Sequence, residues 1–379
     1  MWSSKRSPGP ALIRRLCTLG LPMEGVVPAL MRALCRETRS ETGVVLWFDA
    51  QGEIANLYAP DLPSPQALSR WFAAPAGATA SSILKTPSAG TARQRSMIEI
   101  CADGSSGDRS GLRSGPEPFC PHRHLCGMAL PASAGTQRLC CAIVKGGAPV
   151  ASLVLYRAAT ELPFRSEERL AIKAAGRYLS LNAGAVAAST NAAMYRLGGG
   201  EHALLMCEPD GRVTKASGNG FALLAQASGS PINRGTVPGD LERAGQELLR
   251  RLITAPRPPH GRDARGPVRS VASINAWGMF RLEGFFEPDG PMGVLIERVE
   301  HLLVRLCEAM WRLDLSVQQG EALLLLALGM SHDEIAERMG VAPSTAVYHV
   351  RQLFTKLGAH TREEAIASVL DAGEAIAGS

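Results

Sequence analysis

No stretch of this 379-residue chain reaches the ~20 consecutive apolar residues that a membrane-spanning helix requires. The start, MWSSKRSPGP, is basic, yet no apolar core of an export signal follows it. ALIRRLCTLG, at 11–20, carries two arginines where such a core would be apolar, so the expected location is the cytoplasm. Nine cysteines, an odd number spread along a long chain without an export signal, argue against a disulfide framework and for free thiols. The chain also lacks GxxxxGK[ST], HExxH, GxSxG and CxxC. Phosphate-cradling loops, metalloprotease helices, serine-hydrolase elbows and thioredoxin-type redox pairs are thereby excluded in their usual forms. Carboxylates are scattered at no interpretable spacing, the alternating β/α rhythm of a phosphorylated receiver is missing, and no internal repeat recurs at a fixed period. The expectation is a protein that is not an enzyme and carries no cofactor.

What is present is the composition of a folded protein: 46% hydrophobic and 20% charged residues, with length for two or three domains. Charge is divided unevenly. From Leu315 onward four basic residues (Arg338, Arg351, Lys356, Arg362) face eight acidic ones, a net −4, and the remainder carries +9. A basic tail and helix are expected at 1–19, and helical spacing runs on through Val27, Leu30, Met31 and Leu34. GVVLWFDAQGEIANLYA reads as a hairpin about Asp49–Gly52, and residues 101–118 as a surface loop of Gly, Ser and charge. RLCCAIVKGGAPVASLVLYR is a second hairpin, about Gly146-Gly147. A helix then opens with Ser166 as N-cap and with Glu167 and Glu168 in its first turn, where the helix dipole favours negative charge. These elements make an α+β domain at 20–185. A small-residue linker at 186–200 ends in three glycines. A second α+β domain at 201–299 holds a hairpin about Asp210-Gly211, the helix LERAGQELLRRLI and three antiparallel strands. A linker helix at 300–314 leads into a helical domain at 315–372, with a tail at 373–379.

In the helical domain the local signals agree with one another. Ser316–Gln319, Ser331–Glu334 and Thr361–Glu364 each fit a capping box, and Pro343 suits the first position of another helix. Gly329, Gly340 and Gly358 stand where helices should stop. Ile335, Ala336 and Met339 form the inward set of one helix, and Ala346, Val350, Leu353 and Leu357 that of the next. Only Gly340, Val341 and Ala342 separate the two. A turn so short forces a steep crossing, a helix-turn-helix, and leaves an outer face of Ser344, Val347, Tyr348, Arg351 and Thr355. Such a face suits the DNA major groove. A helical hairpin serving only packing or dimerisation would show the same pattern.

Residues 315–370 resemble the LuxR-type helix-turn-helix family of bacterial transcription regulators. The resemblance lies in Leu315-Ser316, Glu321, Leu328–Ser331, Glu334–Ala336, Val341, Pro343–Thr345, His349-Val350, Lys356–Gly358 and Ala365. It implies a four-helix domain that binds double-stranded DNA through a recognition helix at 343–357. Ser344, Thr345, Val347, Tyr348, Arg351, Gln352 and Lys356 would be its DNA-facing residues. It further implies a last helix, 362–371, that pairs two copies. This chain departs from the family's pattern at Val347, usually Lys or Arg, and at Ala342, usually Ser.

The stretches Ala148–Tyr156 and Pro163–Glu168 resemble a GAF domain, and the strand order at 201–299 is similar to that of a PAS domain. The resulting fold class is multidomain: two α+β sensor domains followed by an all-α LuxR-type domain. Such sensors imply a small-molecule or stress stimulus. Cys120, His122, His124 and Cys126 cluster within seven residues and are soft-metal ligand types, but not at a standard zinc spacing. Metal binding, a redox-active thiol at Cys120, Cys126 or Cys140, and ordinary loop residues all stay open there. The functional expectation is a homodimeric transcription regulator with no membrane partner. The alternative is a sensory adaptor whose acidic helical domain binds a protein.

Overall fold

The computed structural model describes residues 9–51, 54–60, 100–103, 136–145, 148–158, 160–182, 192–195, 200–233, 239–255, 268–285, 292–311, 313 and 315–377. The chain divides into two compact units. One comprises residues up to Thr190 together with Gly200–Val299, and the other Asn191–Gly199 together with Glu300 to the end.

The first unit opens with helices α1 (Gly9–Cys17) and α2 (Met23–Thr38). Strands β1 (Thr42–Phe48), β2 (Ile54–Tyr58), β3 (Ile100–Asp103), β4 (Thr136–Lys145) and β5 (Ala148–Ala158) follow, and then α3 (Ser166–Asn182). The sheet is antiparallel throughout, in the order β2-β1-β5-β4-β3. Alternation along β1 and β5 sends Val45, Leu153 and Leu155 to the face that carries the helices, and Val44, Val154 and Tyr156 to the other. Gly43 allows the close approach of α2, because a Cβ there would meet the Met31 side chain and the Val154 carbonyl.

The same unit contains a second sheet: β6 (His202–Cys207), β7 (Val213–Ala216), β8 (Val268–Asn275), β9 (Gly278–Phe285) and β10 (Met292–Val299). Its order, β7-β6-β10-β9-β8, is the order of the first sheet repeated, again antiparallel at every pairing. Helices α4 (Gly220–Ser228) and α5 (Gly239–Thr254) pack on it. No repeat is visible in the residues themselves; it exists only at the level of strand order. One apolar cluster joins Val44, Leu46, Cys140, Val154 and Tyr156 of the first sheet to Ala222, Ala225 and Ile232 of the second region. The two α+β regions, expected as successive domains, therefore share a core.

Two buried arginines bind this unit across sequence. Arg157, on β5, pairs with Glu168 at 2.8 Å, donates to the carbonyls of Thr38 and Leu162, and lies over the Phe164 ring at 4.0 Å. Glu168 also accepts the Arg165 backbone N–H at 2.7 Å, so Ser166 is the first residue of α3 rather than its cap, as the sequence had suggested. The carboxylate held by Arg157 thereby satisfies the N–H of the residue just before the helix. Arg298, on β10, is 1% exposed and donates to the carbonyls of Trp277 and Gly25. The Trp277 ring stacks on Tyr58 at 5.9 Å and meets Trp47 edge-on at 5.7 Å, which joins the β8–β9 turn to the first sheet.

The second unit holds α6 (Leu302–Met310), α7 (Val317–Ala327), α8 (His332–Met339), α9 (Pro343–Leu357) and α10 (Arg362–Ala377). Helix α6, expected as a linker running to 313, stops at Met310 and packs against α7 and α10. Its N-cap is His301, whose Nδ1 accepts the Leu303 N–H at 3.3 Å and whose ring meets Tyr195 edge-on at 5.3 Å. Burial lowers the His301 pKa to about 4, so the ring stays neutral and able to accept. Helix α10 runs past the expected end at 371. Its alanine-rich last turns favour helix, and Gly373 lets it lie close to α6, where an added Cβ would come within 2.9 Å of the Ala309 Cβ.

Candidate nucleic-acid interface

The interface begins with caps. Ser316 and Ser331 each accept the N–H of the third helical residue, while Gln319 and Glu334 return to the serine backbone N–H groups at 2.9 and 2.7 Å. These hydrogen bonds from Ser331 hold the Glu334 carboxyl below its ordinary pKa. The third box differs from expectation. Thr361 does accept the Glu364 N–H at 3.1 Å, but the Glu364 carboxylate reaches past it to the His360 N–H at 2.8 Å. The cap is widened by one residue.

Helix α8 ends on Gly340 at φ 66°, a left-handed conformation that a residue with Cβ adopts only under strain. Its N–H and that of Val341 return to the last carbonyls of α8, to Glu337 at 3.1 Å and Ala336 at 3.0 Å. The chain turns within three residues and α9 begins at Pro343, with Ala342 in the N-cap position and no side-chain cap. Ile335 and Ala336 are buried against α9, whose own buried line is Ala346, Val350 and Leu353. Met339 and Leu357, expected inside, are half-buried. Helix α10 braces the base: Ser368 donates to the Leu357 carbonyl at 3.2 Å and Arg362 to that of Met330 at 3.5 Å.

This bracing leaves the opposite side of α9 open. Ser344, Tyr348, Arg351, Gln352, Thr355 and Lys356 are exposed, while Thr345 and Val347 are half-buried on the flanks. Tyr348, 58% exposed, is the large side chain at the middle of this stripe. Its ring meets His349 edge-on at 5.6 Å. The Thr355 hydroxyl donates back to the Arg351 carbonyl at 2.9 Å, a bond the residue pattern did not disclose. The seven residues expected to face DNA thus lie on one helix and mostly on one side of it.

The other sequence candidates fare differently. Cys120, His122, His124 and Cys126 lie outside the described residues. Among the described residues, no three His, Cys, Asp or Glu side chains gather as metal ligands. Cys140 and Cys141 are both buried and point to opposite faces of the first sheet, Cys140 into the shared cluster and Cys141 toward Gly176 of α3. Burial raises the Cys141 thiol to about 12, and Cys17, Cys35 and Cys207 to between about 11 and 12. The reactive thiolate is disfavoured at all four.

Residues 313–369 match the family described as bacterial regulatory proteins, luxR family. No curated protein matches the chain. The C-terminal helices are thus a LuxR-family helix-turn-helix domain, a DNA-binding type found in bacterial regulatory proteins. Among the described residues no helix is long and apolar enough to cross a membrane.

Proposed function

We propose that the chain is a cytoplasmic transcription regulator that reads DNA as a homodimer through α9. A small molecule or stress acting on residues 20–185 and 201–299 would set its activity. One observation carries the DNA-reading half: in a LuxR-matching domain, the capped base of α7, α8 and α10 leaves one long side of α9 exposed. A duplex major groove accommodates one helix, and the uncapped start of α9 can offer backbone N–H groups to a phosphate. Ser344, Thr345, Val347, Tyr348, Arg351, Gln352 and Lys356 are the residues assigned to the DNA side. The GAF-like and PAS-like readings are supported by two sheets of one strand order, each with packed helices. A stimulus would work by shifting the population between arrangements of differing DNA affinity.

The net −4 from Leu315 onward favours a second reading, an adaptor whose helical domain binds a protein. A salt titration of the full chain on its selected DNA separates the two. A DNA reader loses affinity linearly in log–log form as salt rises, and an adaptor shows neither slope nor sequence preference. Replacing Arg351 with Ala should weaken specific binding by about 1–3 kcal/mol if it reaches a base edge.

A further inference from the structure

We infer that α9 recognises thymine C5-methyl groups through an apolar centre formed by Val347 and Tyr348. This deepens the DNA-reading proposal and rests on it.

The composition of the exposed stripe carries the inference. Arg351 is the basic group within it, and Lys356 lies at its C-terminal end. Between Ser344 and Arg351 stand an exposed tyrosine ring and, on the flank, a valine. Val347 is β-branched and therefore stiff in a helix. Contact with His349 restrains the Tyr348 ring on one edge. Thr355 spends its hydroxyl donor on the Arg351 carbonyl within the helix. The middle of the face thus presents the Tyr348 ring and the stiff Val347 side chain as apolar surface, with the Tyr348 hydroxyl and the Gln352 amide as polar groups beside them.

A B-form major groove offers hydrogen-bonding atoms everywhere and one apolar group, the methyl of thymine. An apolar centre pressed against any other base edge would strip a donor or acceptor of water without replacing it. Against thymine methyls it loses nothing and excludes water from both partners. Charge argues the same way. A domain at net −4 gains little from phosphate neutralisation, so base-edge contacts carry a larger share of its specific affinity. One arginine in the stripe leaves room for one guanine contact beside the thymine centre.

The test uses the full-length chain. Its preferred site is selected from randomised duplexes, and each thymine in it is then replaced singly by uracil, which removes only the methyl. One or two positions per half-site should lose about fourfold in affinity, the ratio that burial of one methylene-sized group supplies. Val347→Ala and Tyr348→Ala should weaken binding to the thymine site and no longer distinguish thymine from uracil. Neither change opens the helix, because alanine is the better helix former.

Selected sites in which no thymine responds to loss of its methyl would overturn the inference and leave DNA reading intact. So would Val347→Ala and Tyr348→Ala variants that still tell thymine from uracil. Failure to enrich any sequence would overturn the DNA-reading proposal itself, and this inference with it.

Discussion

The two sheets share one strand order, and the fifth strand of each carries a buried arginine near its end, Arg157 on β5 and Arg298 on β10. The partners differ. Arg157 meets a carboxylate, Glu168, from the helix that closes its own sheet. Arg298 donates to the carbonyl of its neighbouring hairpin turn at Trp277 and to Gly25 on α2, which packs on the other sheet. A similar device thus does two jobs. One locks a fold internally, and the other fastens one fold to the next. Identical topology does not fix what a buried charge is for; its partner's place in the chain does.

The comparison is most sharply broken at Arg157. Replacing it with Ala leaves Glu168 buried without its cation and should cost about 3–5 kcal/mol, read as an early transition of the sheet-bearing unit in urea. Changing Arg157 to Met and Glu168 to Leu together should recover most of that loss, because no charge is then stranded.

Arg298→Met removes charge-assisted bonds whose acceptors are carbonyls, worth about 1.5–3 kcal/mol. Its distinctive effect should be on Trp277, whose emission should shift red as the turn loosens from Tyr58 and Trp47. An unshifted spectrum would mean that the aromatic contacts hold the sheets together without the arginine.

Beyond β10 the chain reaches His301. Its folded pKa, about 4, lies below the usual 6.5, so the unfolded chain binds the proton more readily. Stability from this group is complete above pH 6.5 and falls as pH drops toward 4, by at most about 1.4 kcal/mol per unit. Asn in its place can still cap α6 and should flatten that slope in a denaturation series across pH 4–7.

The smallest effect is local. Ser331→Ala removes one cap and should cost about 1 kcal/mol, visible as earlier melting of the C-terminal helices. The associated pH dependence runs the same way. The Glu334 carboxyl is held below its ordinary value, so its contribution fades as pH falls through the carboxylate range.

Legibility follows the range of the interaction. Ser316, Ser331, Pro343 and Gly340 announce the C-terminal helices because each acts within one turn of its own position. The outer stripe of α9 could be read for the same reason. Strand runs were legible too, since alternation is local. The strand order of the first sheet was not, because the pairing of Val45 with Leu153 spans most of a domain. Helix α4, GFALLAQAS, escaped notice because it is apolar nearly all round and shows no stripe. Arg298 left a trace that could have been followed. It continues the inward series Met292, Val294, Ile296, so an arginine occupies a core position of period two.

The backbone N–H of Arg298 donates to the carbonyl of Glu201 at 2.8 Å, and Tyr195 is bridged to His301. Residues 200–299 therefore leave the chain and rejoin it at neighbouring points, like a bracelet with its clasp shut. A tract closed in this way can be exchanged as a whole cassette without rerouting what precedes or follows it. Such an exchange must match the Val44, Leu46 and Tyr156 side of the first sheet and, at the β8–β9 turn, Gly25, Trp47 and Tyr58.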